Sequence, residues 1–87
     1  MGYVYILQSI KKSKLYVGST IDLDRRLKEH QNGFVKSTKN LRPFVLKFSQ
    51  KFDTIKTARQ VEFKLKKFKN KNILNKIIEQ QEIKFIL

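Results

Sequence analysis

Along this chain the spacing of apolar positions changes several times, and each change marks an element. Gly2 to Ser9 and Lys14 to Gly18 are short runs rich in Tyr, Val, Ile and Leu, with Ile10-Lys11-Lys12-Ser13 between them. Two bounded apolar runs around a polar turn predict an antiparallel strand pair. Helical signals follow at once. Ser19 or Thr20 is expected as the N-cap, Asp22 and Asp24 place negative charge in the first turn, and Asn32-Gly33 ends the helix. Arg25 and Glu29 are spaced to pair across one turn of it.

Gly33 to Arg42 is polar and basic, which predicts a loop. Pro43 then opens a third strand in which Phe44, Leu46 and Phe48 alternate. A second helix is expected from Asp53 or Thr54, carrying Ile55, Ala58, Val61, Leu65 and Phe68 on one face. Lys69-Asn70-Lys71-Asn72 breaks it, and Ile73, Leu74, Ile77 and Ile78 mark a third helix. Ile83 to Leu87 alternates weakly and receives no assignment. With no repeat or linker, residues 1–87 read as one domain.

Charge narrows the partners. Lys and Arg number 20 against 7 Asp and Glu, for a formal net charge of +13. A field of that size steers polyanions, of which nucleic acid is the commonest. The abundance of Lys, Asn, Ile and Phe also fits an AT-rich genome, but each phosphate contact releases counterions whatever put the lysines there. The chain has no Cys, which excludes disulfides and cysteine metal sites. No run approaches the roughly 18 apolar residues of a membrane span, and the first residues lack the pattern of a signal-peptide h-region followed by a small-residue cleavage site. A reducing, cytoplasmic setting without membrane attachment is the expectation.

Three kinds of residue break the pattern. Glu62 falls inside the arc completed by Val61, Leu65 and Phe68, where a carboxylate costs several kcal/mol unless compensated. A salt bridge and a functional carboxylate, such as a metal ligand, both meet that need. His30 follows Leu23 and Leu27 on the core side of the first helix, and Arg26, four residues earlier, lies at the edge of the same face. A guanidinium and an imidazole converging near a helix N-terminus suit a phosphate. Arg25 points elsewhere, to the surface.

Tyr3, Tyr5 and Tyr16 are ordinary strand aromatics when taken singly. A phenol ionises near pH 10 and becomes useful in chemistry only where cations or a metal hold its conjugate base. Arg26, His30 and whatever Glu62 binds could supply that.

The ordered set Val4-Tyr5, Tyr16-Val17-Gly18, Arg26, His30 and Glu62 resembles the GIY-YIG nuclease superfamily, with both tripeptides in degenerate form. Asp22-Leu23, His30-Gln31-Asn32-Gly33, Ser37-Thr38-Lys39, Arg42-Pro43-Phe44 and Ala58 through Lys66-Lys67 extend the likeness over nearly the whole chain. Together they are similar to the small stand-alone bacterial members called excinuclease-subunit-C-like. Tyr3 stands where the family has its first glycine, and Val4 and Val17 replace isoleucines.

The resemblance implies an α/β fold of the α+β type, a small three-stranded antiparallel sheet flanked by about three helices. It implies an endonuclease hydrolysing DNA phosphodiester bonds with one divalent metal, Mg²⁺ or Mn²⁺, in DNA repair or recombination. Carried over by position, Tyr5 and Tyr16 are the paired tyrosines, Arg26 holds the scissile phosphate, His30 assists a tyrosine and Glu62 is the sole protein carboxylate on the metal. Ser19, Thr20, Arg26, Lys36, Lys39, Arg42 and Lys66 are expected against nucleic acid, and one of Asn70, Asn72 and Asn75 is expected to contribute late in the chain. Specificity is expected to be low or supplied by a protein partner. The rival expectation is a nucleic-acid-binding module on the same fold that does not turn over.

Overall fold

The computed structural model describes residues 1–68 and 70–83. Strand β1 (Gly2–Ser9) turns into β2 (Leu15–Thr20), followed by helix α1 (Leu23–Gln31), a short 3-10 turn at Lys39–Leu41, strand β3 (Phe44–Phe52) and helices α2 (Ile55–Phe68) and α3 (Lys71–Gln80). The strands form one antiparallel sheet in the order β2-β1-β3. This is the α+β arrangement of three strands and three helices. Lys69 of the expected helix break, and 84–87 of the unassigned tail, lie outside the described residues.

The central strand organises everything else. Val4, Tyr5, Ile6 and Leu7 are all buried, because β1 is covered on both faces. Successive strand residues point to opposite faces, so Val4 and Ile6 join Val17, Phe48, Ala58, Val61, Leu65 and Ile77 in one core under α2 and α3. Tyr5 and Leu7 form a second, smaller cluster with Phe44, packed by Leu23, Leu27, Leu41 and Tyr16. That second face carries the tyrosine and histidine chemistry.

Four local expectations are corrected. Ser19 and Thr20 do not cap α1, since they remain paired with Val4 and Tyr3 in the sheet. Asp22 is the cap, extended in backbone and accepting from the Arg25 N–H at 3.1 Å. Glu29 pairs with Arg26 at 3.0 Å rather than with Arg25, which is exposed.

The alternation of Phe44, Leu46 and Phe48 is interrupted by a register shift. Ile6 opposes Phe48 while Leu7 opposes Leu46, so Lys47 is an extra residue on β3. One inserted residue reverses every side chain beyond it. Phe44 and Phe48 therefore enter different clusters, and Leu46 stays 40% exposed. Phe68, in the last turn of α2, is 45% exposed rather than part of the core stripe. The cap of α2 is as expected: Thr54 Oγ1 accepts from the Thr57 N–H at 3.1 Å.

Candidate active site

Register brings the two tripeptides together. Tyr5 on β1 lies directly opposite Gly18 on β2. The Tyr5 ring lies over that glycine, and any Cβ at position 18 would collide with the ring and its hydroxyl. Gly18 is thus required by its partner's side chain rather than by its own backbone. The ring is held flat across the strand pair and its hydroxyl is aimed at α1.

There it meets His30. The Tyr5 hydroxyl and His30 Nε2 are 2.8 Å apart, and His30 Nδ1 is 2.8 Å from Thr38 Oγ1. The Thr38 hydroxyl donates to the Val35 carbonyl, so it accepts from Nδ1–H, and Nε2 is left to accept the Tyr5 proton. Tyr5, His30 and Thr38 are all buried. The result is a directed line: Tyr5 O–H to His30, His30 to Thr38, Thr38 to backbone.

Burial sets the protonation states. It pushes the Tyr5 phenol up to about 12, an effect that the Arg26 guanidinium opposes and Tyr16 reinforces. It holds His30 down to about 4, with Arg26 acting in the same direction and Glu29 against it. Both groups are neutral at ordinary pH, and the resting proton sits on Tyr5.

Tyr16 is half-buried and packs edge-on against His30, ring centroids 5.2 Å apart, with Tyr5 at 6.5 Å. On its other side the Lys66 ammonium lies 5.4 Å from the ring centroid. Arg26 lies beside Tyr5, and its side chain is 36% exposed, so it can reach solvent while tied to Glu29.

Glu62 comes from the opposite face of the sheet, around the β2 edge. One carboxylate oxygen accepts from the Ser19 hydroxyl, and the other pairs with Lys66 Nζ at 2.6 Å. Glu62 is only partly buried rather than enclosed in the core stripe, and its charge is compensated by an ion pair one turn along its own helix. Glu62 is also near enough for its charge to raise the Tyr5 phenol.

Among the described residues, no three His, Asp or Glu side chains gather where they could hold a metal. Glu62 and the Ser19 hydroxyl are hard oxygen donors in a thin set. That set fits a cation such as Mg²⁺, which keeps several waters and takes further oxygens from phosphate. It does not fit an ion caged by protein alone.

The remaining expected contacts divide. Thr20 is buried with its hydroxyl engaged by Asp22. Arg42 lies across Gly33, whose φ is +79, with the guanidinium carbon 2.8 Å from where a Cβ would be, and donates to the Lys39 carbonyl. Lys36 and Lys39 are exposed. Of the late asparagines, Asn70 caps α3 and lines the cleft that holds Tyr16 and Lys66, whereas Asn72 and Asn75 are exposed on α3. Lys12, Lys14 and Lys71 line that cleft too and were not singled out from the sequence. Thr38 also went unassigned there, although Ser37-Thr38-Lys39 was among the matching motifs.

The sequence profile of the GIY-YIG catalytic domain matches residues 1–77. The chain belongs to the GIY-YIG family. Its relatives include a UPF0213 protein of Staphylococcus saprophyticus, 36% identical over 88% of this chain and 94% of that protein. Another, from Clostridium perfringens, is 35% identical over 97% of this chain and 89% of its own. The solution structure of a UPF0213 protein from Bacillus halodurans superposes with a TM-score of 0.59 at 30% identity, covering 93% of this chain and 86% of that one. GIY-YIG is a nuclease superfamily, and the UPF0213 proteins are small bacterial members of it.

Proposed function

We propose that this GIY-YIG domain is a divalent-metal-dependent endonuclease that hydrolyses DNA phosphodiester bonds. The observation that carries this reading is the convergence of Tyr5, Tyr16, Arg26, His30 and Glu62, from four separate segments, with Tyr5 bonded to a neutral imidazole.

Tyr5 is too weak an acid to act as a resting phenolate. Its bond to His30 removes the need. As water attacks phosphorus, a proton from that water passes to the Tyr5 oxygen while the Tyr5 proton passes to His30 Nε2, so no charged phenolate has to form first. Thr38 fixes the tautomer that leaves Nε2 free to accept. Arg26 holds the phosphate oxygens. Tyr16, half-buried between His30 and Lys66, forms the wall that orients the water. A divalent ion held by Glu62, with Ser19 beside it, would act as a Lewis acid and stabilise the leaving oxygen.

The test compares the parent with Glu62→Ala and Tyr5→Phe on linear, nicked and branched DNA in Mg²⁺ or Mn²⁺, with binding measured alongside. Cleavage by the parent and its loss in both variants, at unchanged DNA affinity, is the expected result. If no protein cuts any substrate while all bind alike, the enzyme reading fails. The Glu62–Lys66 ion pair favours that second reading, a binding module without turnover, because the carboxylate already has a cation.

A further inference from the structure

Charge is distributed unevenly along the axis of β1, and the register fixes how. At the Gly2 end, Gly2 opposes Phe52 and Tyr3 opposes Thr20, so the chain leaves β3 and β2 there into Asp53 and Asp22. All three aspartates of the chain, Asp22, Asp24 and Asp53, follow those strand ends. At the Ser9 end, Gln8 opposes Leu15 and Ser9 opposes Phe44. Lys11, Lys12 and Lys14 in the β1–β2 turn and Arg42 before β3 therefore gather at this end.

Two clefts meet there. One is lined by Lys12, Lys14, Tyr16, Lys66, Asn70 and Lys71 among others. The second is lined by Lys11, Lys12, Gln31, Lys39, Asn40 and Arg42, with Pro43. Lys12 belongs to both, and among the described residues no carboxylate lines either. The cleft at the Gly2 end instead includes Asp22 and Asp24 beside a single cation, Arg25. Glu29 and Glu62 are each tied into an ion pair.

We propose that a nucleic-acid backbone docks on the Ser9 end, passing around the β1–β2 turn from Tyr16 to Arg42. The candidate active site then lies at one margin of the footprint, which extends away from the aspartates. The proposal takes only the class of partner from the nuclease reading. A row of exposed lysines without carboxylates suits an evenly charged phosphodiester chain. At the other end the aspartates offset Arg25 and Lys51, which leaves the Ser9 end the more positive of the two.

The test uses fluorescence anisotropy of a labelled DNA duplex in EDTA, so that cleavage does not intrude. The combined Lys11→Gln, Lys12→Gln, Lys14→Gln variant is compared with Lys47→Gln, Lys51→Gln, Lys56→Gln, which removes the same charge from exposed positions elsewhere. The turn variant is expected to bind about tenfold or more weakly near 0.1 M salt, with the log–log salt slope shallower by about 2 to 3. The control set is expected to change affinity about twofold or less. Thermal melting confirms that both variants fold. Equal weakening by the two sets overturns the proposal. If the turn set binds like the parent while Glu62→Ala abolishes cleavage, the nuclease reading stands and this docking surface does not. Weakening confined to the turn set, with no cleavage by the parent, supports the surface and removes the enzyme.

Discussion

Acidification should destabilise this fold through one side chain. His30 is the single histidine of the chain and is fully buried, with Tyr5 on one ring nitrogen and Thr38 on the other. Burial holds its pKa down to about 4, against about 6.5 in an unfolded chain. Between those values the unfolded chain binds a proton that the folded chain refuses. The contribution is therefore fully present above about pH 6.5, is lost as pH falls toward about 4, and changes no further below that. A window of about 2.5 units at about 1.4 kcal/mol each gives a loss of about 3 kcal/mol. That is a large share of the roughly 5–15 kcal/mol by which domains are stable.

One histidine means one set of imidazole resonances, so an NMR titration reads the native pKa directly. Urea unfolding at about pH 7.5 and about pH 4 reads the stability, and His30→Gln separates this group from carboxylates that titrate nearby. The parent is expected to lose about 3 kcal/mol more than His30→Gln over that interval. An imidazole titrating near 6.5 in the folded chain, or parallel losses in parent and variant, would refute the reasoning.

Three further predictions test single contacts. Gly18→Ala forces Tyr5 from its place, so stability should drop by about 1–3 kcal/mol and the Tyr5 bond to His30 should break; an unchanged melting curve and imidazole spectrum would show the contact is absent. Thr38→Val leaves the His30 Nδ1–H buried without a partner, at a cost of about 1–3 kcal/mol in urea unfolding, whereas Thr38→Ser should restore most of it. Lys66→Met removes a half-exposed ion pair, so stability should change by about 1 kcal/mol or less. It also frees Glu62, and Mn²⁺ affinity measured by paramagnetic broadening near residue 62 should rise a few-fold; a weaker affinity would mean that Lys66 assists the metal.

Much of this was legible in the sequence because its signals are local. The two apolar runs bounded by a polar turn marked β1 and β2, the Asn32-Gly33 stop marked the end of α1, and the apolar stripe through Ala58, Val61 and Leu65 marked α2. Tyr5, Tyr16, Arg26 and His30 do meet, as the placement of Arg26 and His30 on one helix face required. What failed was set by tertiary context. Thr20 has good capping chemistry, but sheet pairing with Tyr3 held it in β2 and passed the cap to Asp22. The extra Lys47 in β3 has no composition that announces it, and it reversed the side of Phe48. Lys12, Lys14 and Lys71 were lost among many lysines, since their shared cleft exists only once the hairpin and α3 are assembled.

The pairing of Tyr5 with Gly18 has a consequence for how sequences of this kind can change. The tyrosine of one tripeptide occupies the space vacated by the glycine of the other, so the two are a single object recorded at two places. What must be preserved is their alignment across the strands, not the number of residues separating them. The connecting turn is exposed and is not part of that alignment, so its length can change without disturbing the tyrosine–glycine fit, while its lysines answer to the docking surface instead. A shift of either strand by one position would leave all the same letters in place and destroy the site.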